Sequence, residues 1–361
     1  MLTEIFERIT YQPHRGTATR EAAEARKRLE TYLKASGVSV KQQAFLSPRT
    51  NSWEIMGISL VLALGGLIPN GVVSIVGLFA FWAYFCLWNV PWSRFTDKYS
   101  SANLIAEKGE GRRTLVIMAH IDTAKPYFLN SPNNVRSFRI FFLITTALAI
   151  ASVPLAFFWL PGARLVGMFF LIQAGLMYWR ERSSDYVNGA NDNASGVTVA
   201  TQLFLDLAPR LMNEWQLKLV ITGAEEVGAK GAKALLKGGE IPENALILNI
   251  DNVGLGKLHY SEGEGMLEYH KSKGRLLDAA RSTTGADPVK YRLAFLDTLP
   301  FSKAGYDCLT LIRLENGVPP NWHWKTDTPE QVNPDALVGT YVYARALAEK
   351  VGVALRAPVE D

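Results

Sequence analysis

Apolar and polar positions follow three rhythms along this chain. Thr19–Leu33 (TREAAEARKRLETYL) repeats Ala and Leu at helical spacing, which predicts an amphipathic helix closed by Gly37. Val38–Phe45 (VSVKQQAF) alternates residue by residue, as a half-buried strand does. Thr114–Met118, Leu217–Ile221, Leu246–Ile250 and Cys308–Ile312 are unbroken apolar runs, the mark of strands covered on both faces. Helical patterns lie between these runs, notably at Ser195–Leu207 and Gly231–Leu236. Strands alternating with helices predict an α/β fold: a mostly parallel mixed sheet with helices on both faces, formed by a single domain over residues 1–361.

The third rhythm has no polar phase. No charged residue occurs from Ile55 to Ser93, and the only break is Pro69-Asn70-Gly71. Ile140 to Ala163 is again uncharged, with Arg164 and Pro161-Gly162 separating it from Leu165–Trp179. Each block reads as two apolar helices joined by a tight turn, a hairpin inserted at 53–93 and another at 138–180. A core helix of a soluble protein normally keeps a polar stripe, and these do not. About 20 residues cross a hydrocarbon core. Gly71–Val90 and Ile140–Leu160 meet that length, whereas Ile55–Leu67 and Leu165–Trp179 are short. Trp53, Trp82, Trp88, Trp92, Trp159 and Trp179 stand near the ends, as interfacial aromatics do. The blocks are therefore expected to enter a lipid bilayer and to offer a surface for homo-oligomers.

Charge orients them. Lys41, Arg49, Arg94, Lys98, Arg136, Arg139, Arg180 and Arg182 flank the blocks on the side of the soluble part, against Arg164 alone in the far turns. The positive-inside rule then predicts a multi-pass protein of the cell membrane with its soluble part facing the cytoplasm. The opening MLTEIFERIT has no apolar core of a signal peptide, which agrees.

Composition narrows the picture only a little. Of 361 residues, 48% are hydrophobic and 20% charged, so the chain is expected to fold. A net charge of +4, without aromatic and basic residues interleaved, argues against a nucleic-acid partner. Cys86 and Cys308 form no CxxC pair and sit in apolar stretches, so neither reads as a nucleophile. The apolar helices carry no acidic or basic residue to line a transport path.

Chemistry gathers at the strand ends. TLVIM runs into His120 and Asp122, LKLVI into Glu225 and Glu226, LILNI into Asp251, and the strand at 308–312 leads towards His323 and Asp327. Asp192 opens a helix within NGANDNASG. Ligands of open α/β sheets bind at the carboxyl ends of strands. Several acids brought together there repel one another unless a cation compensates. Histidine with carboxylate ligands suits Zn²⁺, and Mn²⁺ or Co²⁺ less selectively. The set is large enough for two metals sharing one carboxylate, with an acid left over as general base.

With Pro13-His14-Arg15, AHID at 119–122, GANDNASGV at 189–197, GAEEVG at 223–228, NID at 249–251 and HWKTDT at 323–328, the chain resembles the M28 family of metallopeptidases. That resemblance implies two zinc ions, one on His120 and Asp251, the other on Glu226 and His323, with Asp192 bridging. It also implies Glu225 as general base, Asp122 as the residue orienting His120, and a cis peptide after Asp192. Leu296 and Thr298 flank Asp297 where the family usually has Ser and His. The expected function is a membrane-embedded aminopeptidase acting on peptide substrates. A glutaminyl-cyclase-like enzyme or another amide hydrolase of the same fold is the alternative, and a non-catalytic relative would have lost metal ligands that are all present here.

Overall fold

The apolar runs become the centre of a nine-stranded sheet in the computed structural model, which describes residues 1–86, 90 and 92–353. The strands are β1 Val40–Ser47, β2 Tyr99–Lys108, β3 Arg113–His120, β4 Trp215–Thr222, β5 Leu246–Asp251, β6 Lys257–Glu264, β7 His270–Lys271, β8 Asp287–Tyr291 and β9 Asp307–Leu314. They lie in the order β1-β2-β4-β3-β5-β9-β6-β7, with β8 paired to β6. β4, β3, β5 and β9 are mutually parallel, so their carboxyl ends share one edge of the sheet. β1, β2 and β6 join antiparallel at the flanks. This is the mixed, helix-covered sheet expected from the sequence.

Both faces of the four parallel strands are buried, which is why they read as unbroken apolar runs. One face packs against the helices Leu2–Thr10, Arg20–Ala35, Gly196–Leu207 and Pro334–Lys350 through residues such as Ile5, Leu29, Val199 and Leu347. The other carries Val116, Met118, Val220 and Ile247 against the helices Lys230–Gly238 and Thr298–Lys303 through Leu235 and Phe301.

The apolar blocks form four helices. Ser52–Leu67 and Gly71–Phe85 lie between β1 and β2; Phe138–Phe158 and Leu160–Ser183 lie between β3 and the helix Gly196–Leu207. Their lengths differ from the sequence reading in both directions. The helix beginning at Gly71 ends at Phe85 rather than Val90, and Trp88 lies outside the described residues. The last helix runs on to Ser183, because Arg180 and Arg182 continue it past the apolar stretch. The turn between the second pair falls at Trp159, two residues before Pro161, since proline fits the first turn of a helix. Val135–Phe158 and Leu160–Ser183 are long and apolar enough to cross a membrane; the two helices of the first block are 16 and 15 residues long.

The hairpins hold each other through small residues. Ser52–Leu67 packs along Leu160–Ser183 so closely that a Cβ on Gly167 would lie 2.7 Å from the Leu67 nitrogen and 3.0 Å from the Ala63 oxygen. Backbones approach like this where side chains are absent.

Candidate metal and catalytic site

Each parallel strand delivers its ligands at its end. His120 is the last residue of β3, Asp251 the last of β5, and Glu225 and Glu226 follow β4 through a turn. That turn needs Ala224 at φ +60°, while Asn252 and His323 also stand in the left-handed region, at +52° and +50°. Strained non-glycine backbone of this kind persists where surroundings over-determine it, commonly at functional sites.

The imidazoles meet the carboxylates tightly. His120 Nε2 lies 3.2 Å from Asp192 Oδ1 and 3.4 Å from Asp251 Oδ1. His323 Nε2 lies 3.2 Å from Asp192 Oδ2 and 2.8 Å from Glu226 Oε2. Asp192 therefore faces one histidine with each oxygen. The five residues expected as ligands converge as two groups hinged on one carboxylate. Among the described residues, ligand atoms of His120, Asp192 and Glu226 fit within 4.8 Å of one another.

Electrostatics fit a cation. Burial would raise Asp192, but hydrogen bonds from His120 and His323 carry it below the usual carboxylate range. Burial works against a charged His323, yet Glu226 and Asp192 push it up to about 10. Burial would also lower His120, and Asp251 and Asp192 hold it well above its ordinary value instead. A proton and a metal ion compete for such imidazoles. Glu226 Oε1 is buried and has no hydrogen-bond partner. An orphaned anionic oxygen is costly unless something positive meets it. This donor set of two imidazoles and three carboxylates is suited to divalent metal.

Around the cluster, three residues that sequence reasoning left without roles set the geometry. Asp327 accepts hydrogen bonds from the Asn191 and Asp192 backbone nitrogens at 2.6 and 3.0 Å, fixing the loop that carries the shared carboxylate. Arg15 is fully buried and donates to the carbonyls of Ile121, Asn188 and Gly189, tying the end of β3 to that loop. Asp297 is buried and accepts a hydrogen bond from Thr222. Their nearness to quoted motifs was the available signal: Arg15 is in Pro13-His14-Arg15 and Asp327 in HWKTDT. The peptide bond between Asp192 and Asn193 is cis.

Asp122 has a different set of partners from the one expected. Its carboxylate lies 3.8 Å from His120 Nδ1, which is closer, at 3.1 Å, to the Asp122 backbone oxygen. The carboxylate accepts instead from Thr17 Oγ1 at 2.6 Å and from the backbone nitrogens of Glu225 and Glu226 at 3.0 and 3.4 Å. It thus aims the glutamate turn as well as bordering the imidazole.

Glu225 is buried and lines the same cavity as His120, Asp192, Glu226, Asp251 and His323. Burial holds its carboxyl well above the ordinary range; Glu226, Asp297 and Asp251 reinforce this and His120 opposes it. A carboxyl raised in this way is a proton acceptor poised nearer neutrality.

A strand-end cluster of two histidines and several carboxylates in an α/β sheet defines a metal-dependent hydrolase class. Residues 103–348 match the family model "Peptidase family M28", and the chain belongs to that family. The Escherichia coli alkaline phosphatase isozyme conversion protein is 38% identical over 84 residues, covering 21% of this chain and 23% of that protein. The fold is similar to an aminopeptidase from Aneurinibacillus sp. strain AM-1, with TM-score 0.57, 13% identity, 100% of this chain and 97% of that one covered. It is also similar to Bacteroides thetaiotaomicron glutaminyl cyclase, with TM-score 0.56, 14% identity, 96% and 97% covered. The Bacillus subtilis zinc aminopeptidase is 16% identical with TM-score 0.46, over 73% of this chain and 52% of its own. The chain thus spans about a quarter of the Escherichia coli protein and half of the Bacillus one.

Proposed function

We propose that the protein is a membrane-embedded metallo-aminopeptidase that removes N-terminal residues from peptides at a two-zinc centre. The observation that carries this reading is Asp192, whose two oxygens each face a histidine that also meets a second carboxylate. His120 and Asp251 would hold one zinc, Glu226 and His323 the other, with Asp192 shared; Mn²⁺ or Co²⁺ accept the same donors. A one-metal, cyclase-like centre leaves half of that arrangement without a purpose.

When bound, the metal pair supplies Lewis-acid polarisation of the scissile carbonyl and acidifies a water molecule. Glu225 takes the proton of the attacking water and returns it to the leaving amine. Asp122 holds Glu225 in place through its backbone nitrogen, and Asp327 and Arg15 keep the Asp192 loop against β3. The buried surroundings of Glu225 keep its proton affinity high enough for both transfers.

The four apolar helices favour a bilayer as partner. Only 28% and 39% of the most apolar windows of the second hairpin are buried, so most of their Ile, Leu and Phe side chains face outward. Ile140, Phe158 and Leu165 are among those exposed, a surface that water penalises and lipid does not. The basic flanks Arg94, Lys98, Arg136, Arg139 and Arg182, against Arg164 in a far turn, favour a cytoplasmic catalytic side. The outward faces would also serve a homo-oligomer.

Hydrolysis of a free-amine aminoacyl-fluorophore panel by detergent-purified protein tests the reading, with N-acetylated counterparts alongside. Turnover of the free-amine set only, lost with chelator and restored by Zn²⁺, is the expected result. Silence on both sets by zinc-loaded protein would remove the aminopeptidase assignment.

A further inference from the structure

The cavity that holds the catalytic cluster does not stop at the sheet. It continues between the hairpin helices, lined there by Ile58, Ser59, Phe85, Phe142, Thr145 and Gln173. On the helix Phe138–Phe158 the lining residues run from Phe138 to Thr145, and on Leu160–Ser183 from Arg180 back to Gln173. Seven residues of helix correspond to roughly 10 Å of depth. Beyond that depth Leu62, Ala149 and Phe170 are fully buried against one another and close the space.

The deep half has no charge to offer. Arg180 stands nearer the cluster, and its guanidinium is committed to Asn51, Ser52 and the Pro126 carbonyl. The floor offers few polar atoms: Ser59 Oγ donates to Gln173 Oε1 at 3.2 Å, Thr145 Oγ1 donates to the Phe141 carbonyl at 2.9 Å, and the neutral Gln173 amide nitrogen remains. A charged group placed there would lose its water and gain no countercharge, whereas an apolar chain loses nothing. A dead end about 10 Å deep also admits only the short half of a substrate, the length of about three extended residues. Under N-terminal cleavage, on which this step rests, the short half is the acyl half.

We propose that the hairpin cavity holds an extended apolar chain on the acyl side of the scissile amide. The substrate class is then an amide with a lipid-like acyl half, gripped by the hairpins while its amide meets the catalytic cluster. Peptide N termini bearing long apolar side chains and fatty-acyl amides share this chemistry.

The test is binding to the zinc-loaded, full-length Glu225→Gln protein in lipid nanodiscs, by calorimetry. The probes are 2-aminoalkanoyl anilides of increasing chain length and the matching alkanoyl anilides without the amine. Affinity should rise about fourfold per added methylene until the cavity is filled. In Thr145→Trp the rise should level off at shorter chains. Flat or falling affinity with length in the Glu225→Gln protein overturns the proposal, whether or not the tryptophan variant folds. A rise confined to the amines assigns peptide N termini as the source; a rise in both series assigns fatty-acyl amides as well. Binding that grows with length, beside no turnover of any probe by zinc-loaded protein with Glu225 intact, overturns the hydrolase reading while the cavity assignment stands.

Discussion

His120 and His323 approach opposite oxygens of a single carboxylate: each Nε2 lies 3.2 Å from Asp192, one at Oδ1 and the other at Oδ2. An amide in place of that carboxylate offers one oxygen where two are needed, and adds a donor where a cation is expected. Asp192→Asn should therefore drop bound zinc from two ions per chain to one or fewer and cut kcat/KM by more than ~100-fold. The change exceeds the 10–100-fold typical of residues that merely support ligands. Metal analysis of purified protein, alongside turnover, checks it. Two zinc ions retained in the variant would remove Asp192 from the bridging position.

Glu225→Gln keeps the shape of the side chain but cannot take a proton. Zinc content should stay at the level of the unsubstituted protein while kcat falls by ~10²–10⁴-fold. The pH profile of the unsubstituted protein adds a sign. Burial raises the Glu225 carboxyl, and the base works only when ionised, so activity should rise with pH through a limb lying above the ordinary glutamate range. A limb at the ordinary value would show that a different, better solvated acid is being titrated.

Glu264 tests the same physics without the catalytic cluster. Its side chain is buried, accepts a hydrogen bond from Thr298, and leaves Oε2 without a partner. Burial pushes its pKa up to about 8 from 4.5. The folded state then binds more protons than the unfolded state between those values, so stability is fully present below 4.5 and declines as pH rises towards 8. Glu264→Gln mimics the neutral form. Its melting temperature should match the unsubstituted protein near pH 5 and exceed it by several degrees at pH 8 and above. Equal pH dependence of the two proteins, measured by thermal unfolding in detergent, would contradict this.

Legibility in the sequence divided along physical lines. Thr114–Met118, Leu217–Ile221, Leu246–Ile250 and Cys308–Ile312 are visible because a strand covered on both faces has no polar phase, and each appears within a few residues of its expected bounds. β2, Tyr99–Lys108, escapes notice because its sequence YSSANLIAEK shows neither an unbroken apolar run nor a clean alternation. The helix from Gly71 ends at Phe85, short of the expected Val90, since hydropathy alone does not mark a helix end. At the site, His120, Asp192, Glu225, Glu226, Asp251 and His323 were legible as types at strand ends. The work of Arg15 was not: its hydrogen bonds reach residues more than a hundred positions away, and no local pattern encodes that. Nor does any local pattern encode Asp122 reaching across to the Glu225 nitrogen.

The hairpins give the last prediction. Gly167 touches the backbone of the other hairpin, so a side chain there has no flexible neighbour to displace; the atoms a Cβ would meet belong to Leu67, Gly66 and Ala63. Gly167→Val must push the helix Leu160–Ser183 away from Ser52–Leu67, and overpacking of this kind costs about 1–3 kcal/mol. The melting temperature in detergent should fall by several degrees. Because Gln173 and Met177 on one helix and Ile55 and Ser59 on the other line the cavity beside the catalytic cluster, the separation should also reach the site. KM for apolar aminoacyl substrates should rise more than kcat falls, since the metal ligands stand at the strand ends and in loops beside them, not on the hairpins. Gly175, whose Cβ would meet nothing within 4 Å, provides the control: Gly175→Val should leave both stability and KM unchanged. If the two valine variants behave alike, the tight Gly66–Gly167 crossing does not hold the hairpins together.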